Sequence, residues 1–210
     1  MMNQQKNALP ILLLLVSNAL YAQLDSTAQL RAIAEHREVY KQEFLTDTRS
    51  PLTAADTAHL IFFRPSLDWV IPARFEPTPD AQPFDLPTYS GVTRRYRQYG
   101  TLFFEKNGRS YSLQIYQNLK LVEQEAYKDY LFLPFKDLTN GETTYGGGRY
   151  LDFRLGDIGP DNILILDFNR CYNPWCAYSD GYSCPIPPPA NHLDLAVEAG
   201  ELQFSGKKKH

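Results

Sequence analysis

The residues best suited to chemistry stand at a glycine triplet, Gly146 to Gly148, which follows Tyr145 and precedes Arg149. Three consecutive glycines cost backbone entropy, so they are expected where the chain turns through positive φ or where a ligand approaches the backbone. Successive amides in such a turn can form an anion-binding nest, and Arg149 adds a fork of donors for a carboxylate or phosphate. The motif is not a phosphate-binding P-loop, because no Gly-Lys-Ser/Thr follows and a strand comes next. We interpret it as a candidate site for a small polar or anionic ligand.

A second polar group, Asp167, Asn169 and Asn173, follows a predicted strand. Asp167 and Asn169 share one strand face because side chains alternate with a period of two. Oxygen ligands at this spacing are compatible with a hard cation, whereas Asx residues at a strand end also bond their own backbone. We expect these residues to face the Gly146–Arg149 turn and to complete its ligand-binding surface. The structural alternative is a tight turn whose arginine pairs with Asp152 or with Asp167.

The three cysteines are Cys171, Cys176 and Cys184. In an exported chain Cys176 and Cys184 form a natural disulfide, and closing a loop of about eight residues stabilises the fold by roughly 2.5 kcal/mol. Cys171 is then a packed free thiol. The alternatives are a zinc site, which the spacing does not favour, and a nucleophilic cysteine with His192 as its base. The sequence predicts no metal and no cofactor.

The N-terminus has the pattern of a secretory signal peptide over residues 1–22. Lys6 supplies a positive charge, residues 8–22 are largely apolar, and the small residue Ala22 suits cleavage. Pro10 interrupts a segment that is already short for a membrane span. We therefore expect export to the periplasm or medium, no stable membrane span after signal cleavage, and an oxidising compartment. An ordinary buried N-terminal helix is the alternative.

Composition places the chain among ordinary globular proteins. Its 210 residues are enough for one core with an extension, and the 14 Tyr and 12 Phe favour a β-sheet. The net charge of −3 gives no electrostatic footprint for nucleic acid. A small molecule is therefore the expected partner, and the oligomeric state is not indicated.

Apolar residues recur at helical spacing over residues 26–46, and a second short helix is predicted at 54–59. Arg37 falls on the apolar stripe, so its stem should lie on the core. We assign residues 23–60 to an N-terminal helical segment. It is expected to form one globular unit with a β-rich domain at 61–210.

The β-rich domain contains one strong hairpin signal, Asn107-Gly108 between alternating apolar runs. Its predicted strands are 69–75, 96–104, 111–116, 130–135, 149–155 and 163–168. Pro72 marks an edge or a bulge in the first strand, and residues 77–91 are expected to be irregular. Short connections without alternating helices predict a mainly β fold: an antiparallel β-sandwich or partly open barrel, with one or two N-terminal helices packed outside.

Several motifs match a known pattern: YLFLPFKDLTNG (130–141), YGGGRY (145–150), DFN (167–169), YNPWCAY (172–178) and CPIPP (184–188). On these motifs the chain resembles the family called domain of unknown function 1684, over nearly the whole mature chain. The family is β-rich and uncharacterised, so the resemblance implies no activity. Cys171 stands where the pattern usually has Ala, and Ala190 where it usually has Glu. Relatives without export signals keep a thiol or metal role open for the other two cysteines.

Three functional hypotheses follow. The first is a binding module walled by residues 139–150, 167–178 and a stiff proline-rich strap at 184–189, with Arg149 as its main anchor. The second is a hydrolase that uses Asp167 or a cysteine, with Arg149 as an electrostatic stabiliser. The third is a purely structural motif.

Overall fold

The computed structural model describes the backbone of residues 9–210 and the side chains of residues 26–210. The predicted signal peptide (1–22) lies outside the described residues, apart from the backbone that begins the first helix. The helices are α1 (Leu9–Thr46) and α2 (Ala54–Thr57). The strands are β1 (Val70–Pro77), β2 (Phe84–Pro87), β3 (Thr93–Lys106), β4 (Arg109–Asn118), β5 (Tyr130–Phe135), β6 (Arg149–Arg154) and β7 (Ile163–Asp167).

The strands form one antiparallel sheet in the order β6-β5-β4-β3-β1-β7, with β2 paired to β3 outside this path. The sheet curves into a half-barrel, and α1 contacts α2 and the 3-10 turns Leu67–Trp69 and Phe168–Arg170, which adjoin β1 and β7. The predicted mainly β class is confirmed, and of the two predicted architectures the partly open barrel is the one observed. The terminal strands β6 and β7 are far apart in the strand order and do not pair with each other.

The predicted hairpin joins β3 and β4. Asn107 and Gly108 have φ values of 54° and 72°, which is the left-handed conformation that a two-residue hairpin turn requires. Pairing extends from Lys106 opposite Arg109 at the turn as far as Tyr96 opposite Asn118. This long hairpin forms the middle of the sheet.

Two details of the sheet depend on proline. Pro72 lies opposite Ile165 of β7, whereas pairing of β1 with β3 begins only at Arg74. At Pro72 the strand therefore has a neighbour on one side only, so the missing amide is tolerated as predicted. β2 falls inside residues 77–91, which were expected to be irregular, and this expectation was wrong. Four residues of β2 pair with β3, although Pro83 precedes the strand and Pro87 is its last residue.

The main core fills the inner face of the half-barrel. Fully buried Leu102, Leu113, Leu133 and Leu164 come from four different strands. An extended C-terminal segment, residues 191–201, closes this core. Its buried apolar members are Leu193, Leu195, Val197 and Ala199. A smaller aromatic cluster joins α1 to the loops around residues 175–178. The C-terminal segment thus completes the main core, and α1 contributes to the separate aromatic cluster.

Candidate functional site

Arg149, the predicted ligand anchor, is enclosed by the fold. Its Nη2 donates to Asp137 Oδ2 and to the Val197 carbonyl, each at 2.8 Å. Its Nη1 donates to the carbonyls of Ala199 and Glu201. Neither side chain of the ion pair has exposed surface. Both terminal nitrogens are therefore bound to internal partners, and the guanidinium does not face a ligand.

The partner of Arg149 corrects one prediction. We expected Asp152 or Asp167, whereas the ion pair forms with Asp137. Asp137 lies just beyond β5, and Phe135 at the end of β5 pairs directly with Arg149 at the start of β6. The neighbouring strand therefore places the two side chains together.

The glycine triplet is explained by close packing. Gly148 has φ +93°, and a Cβ there would lie 2.6 Å from the Phe135 carbonyl oxygen and 2.8 Å from Pro187 Cγ. A Cβ on Gly147 would lie 2.2 Å from the Tyr145 ring. The Gly148 amide donates to the Tyr145 carbonyl. The triplet thus lets the turn press against β5 and against the proline-rich strap.

The predicted Asp167–Asn169 pair shapes the end of β7. Asn169 is fully buried, accepts a hydrogen bond from the Ser66 amide at 2.9 Å and donates to the Ser66 carbonyl at 2.8 Å. Asp167 accepts from Asn169 and is ion-paired with Arg170 at 3.0 Å. Asn169 therefore joins this strand end to the loop before β1.

Asn173 belongs to a different group, centred on Glu201. The buried Glu201 carboxylate accepts hydrogen bonds from the Tyr178 hydroxyl at 2.7 Å, the Tyr40 hydroxyl at 3.0 Å and the backbone amide of Asn173 at 2.9 Å. Burial raises the pKa of Glu201 to about 7. Sequence reasoning missed Glu201, because nothing in its neighbourhood marks it as buried. The predicted site residues thus do not assemble into one pocket.

The cysteines adopt the predicted arrangement. Cys176 and Cys184 form a disulfide with their Cα atoms 6.2 Å apart, and Cys171 is free and buried. Burial raises the pKa of Cys171 to about 11. The His192 ring contacts the Pro187 carbonyl at 3.1 Å. No cysteine is therefore available as a thiolate nucleophile.

A large cleft lies between α1 and the two terminal strands of the sheet. Its volume is about 1250 Å³. His36, Tyr40 and Glu43 line it from α1, Asp152 from β6 and Ile165 from β7. Because β6 and β7 do not pair, the half-barrel leaves an opening, and α1 provides the third wall. Among the predicted site residues, Asp167 lines this cleft. Tyr145 instead lines a smaller cavity of about 370 Å³ beside the disulfide.

Asp152 is the most distinctive group in the cleft. The Tyr130 hydroxyl donates to its Oδ1 at 2.6 Å, and the Tyr172 hydroxyl donates to its Oδ2 at 2.8 Å. Asp152 is exposed to the cleft, and its carboxylate is held between the two tyrosine hydroxyls. Burial raises its pKa, against the opposing effects of the two hydrogen bonds and of Arg154. Burial also raises the pKa of both tyrosines well above the usual range, so both remain hydrogen-bond donors.

The helix side of the cleft adds a histidine and a carboxylate. Burial, with the nearby Arg170 charge, lowers the pKa of His36, which favours the neutral imidazole. Burial raises the pKa of Glu43. Within the described part of the chain, no hydrogen-bond donor or cation binds the Glu43 carboxylate. No local sequence pattern marks this cleft, because its walls come from three elements that are distant in the chain.

No helix among the described residues is long and apolar enough to cross a membrane. In the same part of the chain, no group of His, Cys, Asp and Glu side chains is arranged to hold a metal ion.

Comparison with known proteins agrees with the resemblance seen in the motifs. A family model described as "Protein of unknown function (DUF1684)" matches residues 56–202. The solution NMR structure of the uncharacterized protein from gene locus rrnAC0354 of Haloarcula marismortui is similar to this chain, with 33% identity and a TM-score of 0.65. The match covers 87% of this chain and 96% of the archaeal one. No curated protein matches the chain.

Proposed function

This chain belongs to the DUF1684 family of unknown function, and from that premise we propose that it is an exported domain that binds a small polar molecule in the cleft beneath α1. The cleft between α1, β6 and β7 is the observation that supports this function. At about 1250 Å³ it is at least as large as typical small-molecule sites, which are roughly 300–1,000 Å³. It combines aromatic walls with a few polar groups, and one of these is Asp152, a carboxylate with a raised pKa that is held by two tyrosine hydroxyls. Perturbed carboxylates in clefts are concentrated at functional sites.

This proposal moves the ligand from the Gly146–Arg149 turn to the cleft. The turn was the expected site because of its glycines and its arginine. The terminal nitrogens of Arg149 are bound to Asp137 and to backbone carbonyls, and Gly147 and Gly148 permit close packing. We therefore assign the turn a structural role. The proposed ligand is still a small polar molecule, but its proposed site is the cleft.

Export is part of the proposal. The Cys176–Cys184 disulfide is compatible with an oxidising compartment, and such bonds persist mainly outside the cytosol. The signal-peptide pattern of residues 1–22 is the second observation that supports export.

Native mass spectrometry of protein purified from its own host tests the binding function. Ile165 lines the cleft and is 50% exposed, so Ile165→Trp should narrow the cleft without disturbing the core. Leu138 is 60% exposed and does not line the cleft, so Leu138→Trp is the matched control.

We expect a small molecule to be retained by the wild-type protein and by Leu138→Trp, and to be lost from Ile165→Trp. Equal retention by both variants would place the ligand elsewhere. If the wild-type protein retains nothing and binds no cationic, neutral or anionic compound in a solution screen, the function is refuted.

A further inference from the structure

We infer that the ligand of the cleft is an organic cation with an ammonium or guanidinium group, and that Asp152 is its anchor. This inference rests on the proposed function and specifies its ligand class. Three features of the cleft support it: the charges that face it, the hydrogen bonds of Asp152, and the aromatic walls.

The charges that face the cleft are predominantly negative. Among the described lining residues there are five carboxylates, one arginine and one histidine. Arg170 is already paired with Asp167, and Asp47 is paired with Arg49. The Asp157 carboxylate accepts the Arg154 amide. Among the described lining residues, Asp152 and Glu43 are the carboxylates with neither an ion-pair partner nor a backbone donor, so an anionic ligand would be repelled and a cation would be attracted.

The surrounding basic groups do not neutralise these two carboxylates. The Arg154 charge acts on Asp152, but its Nη1 is bound to Asp129 Oδ1 at 2.7 Å and to the Ala126 carbonyl at 2.8 Å. His36 has a lowered pKa, because of burial and the Arg170 charge, and so favours the neutral form. A cationic ligand would therefore supply the positive charge that Asp152 and Glu43 lack.

The hydrogen bonds of Asp152 orient its carboxylate for such a ligand. A carboxylate has about four lone-pair sites, and the hydroxyls of Tyr130 and Tyr172 use one on each oxygen. The remaining sites can accept N–H donors from a ligand in the cleft. Because both tyrosines are donors, the carboxylate is held in place before the ligand arrives, which reduces the entropy lost on binding.

The aromatic walls suit the same class of ligand. Tyr40 and Tyr172 both line the cleft, and their ring centroids are 5.8 Å apart. Two other lining rings already bind cations of the protein: Trp175 lies 5.7 Å from the Arg49 guanidinium and Tyr127 lies 5.8 Å from that of Arg154. Aromatic faces attract ammonium and guanidinium groups through the ring quadrupole, most strongly where water is excluded.

Ligand-observed NMR with a matched panel tests the ligand class on the folded mature protein. The cationic probes are putrescine, agmatine and spermidine. Succinate and 1,4-butanediol are the anionic and neutral compounds matched to putrescine in length. Each probe is titrated against wild-type protein, Asp152→Asn, Glu43→Gln, the double variant, and Glu142→Gln, which changes an exposed carboxylate of the 139–145 loop that does not line the cleft. Circular dichroism establishes that every variant is folded.

We expect the cations to bind the wild-type protein and Glu142→Gln equally. Asp152→Asn should weaken binding about tenfold or more, and the double variant should weaken it further. Preference for succinate or butanediol, absence of binding by every cation, or equal cation affinity in the double variant would overturn the cation inference. A retained neutral or anionic molecule would likewise overturn it while leaving the proposed function intact.

Discussion

Arg149 and Asp137 form an ion pair of 2.8 Å in which neither side chain has exposed surface. The same guanidinium donates to three backbone carbonyls of the C-terminal segment, at Val197, Ala199 and Glu201. Removing one member of such a buried pair leaves an uncompensated charge in the interior. A motif that resembled a ligand site is thus a structural junction.

The first prediction concerns this junction. Asp137→Asn should lower the free energy of unfolding by about 3–5 kcal/mol, because the Arg149 charge loses its buried counter-ion. Urea denaturation measures the change. Arg109→Ala is the control, since its pair with Asp194 has the same 2.8 Å distance but is exposed, and its effect should be much smaller. Equal effects of the two substitutions would contradict a structural role for the buried pair.

The second prediction concerns Glu201 and pH. Its folded-state pKa of about 7 lies above the ordinary value of 4.5, so between these pH values the folded protein binds a proton that the unfolded chain has lost. The contribution of Glu201 to stability is therefore present below pH 4.5 and declines as pH rises towards 7. Glu201→Gln removes this titration. The difference in unfolding free energy between wild type and Glu201→Gln should shift by about 1–3 kcal/mol over this window.

Comparison with the variant is necessary because other groups titrate nearby. Burial also raises the pKa of Asp152, which adds a decline of the same sign, and lowers that of His36, which adds a change of opposite sign. Both are present in wild type and in Glu201→Gln, so they cancel in the difference. A difference that is flat from pH 4.5 to 7 would mean that Glu201 is not perturbed.

The third prediction concerns the glycine triplet. Gly148→Ala should destabilise the fold by at least about 2 kcal/mol more than Gly141→Ala. Both residues have positive φ, +93° and +85°, but a Cβ at Gly148 meets the Phe135 carbonyl at 2.6 Å, whereas one at Gly141 meets nothing within 4 Å. Thermal and urea denaturation measure the loss of stability in both variants. The difference between them separates the cost of the steric contact from the cost of a positive φ. Equal losses would show that the strap and β5 do not constrain the turn.

The fourth prediction concerns the disulfide. Replacing Cys176 and Cys184 together by serine should lower stability by about 2.5 kcal/mol, because the unfolded chain regains the freedom of a loop of roughly eight residues. Reductant should lower the stability of wild type to a similar extent and leave the double variant unchanged. Alkylation of denatured, unreduced protein should label Cys171 alone. Labelling of all three cysteines would contradict the bond.

Local signals predicted much of the fold. Asn107-Gly108 identified the central hairpin because few residue pairs accept two positive φ values. The expectation of export favoured a Cys176–Cys184 disulfide over free thiols, and the bond is present. β2 was missed because Pro83 precedes it and Pro87 ends it, and its four residues become a strand only by pairing with β3.

The site was less predictable than the fold. Asp152 and Glu43 are 109 positions apart in the chain (152 − 43), and they share a cleft because α1 packs beside the opening between β6 and β7. Asp137 was not predicted as the partner of Arg149 because the strand pairing that joins them was unknown. Sequence patterns indicated which residues are unusual, but tertiary structure decided which of them meet.

The segment from Val197 to Glu201 owes its conformation to a distant side chain. Carbonyls 197, 199 and 201 all accept hydrogen bonds from Arg149, and Gly200, with φ +75°, interrupts the extended chain between the last two. A strand ladder is made by backbone atoms and accepts almost any sequence. Outward-facing positions of this segment, such as Glu198, should therefore tolerate substitution. Asp137 and Arg149, which lie well upstream in the chain, should not tolerate it.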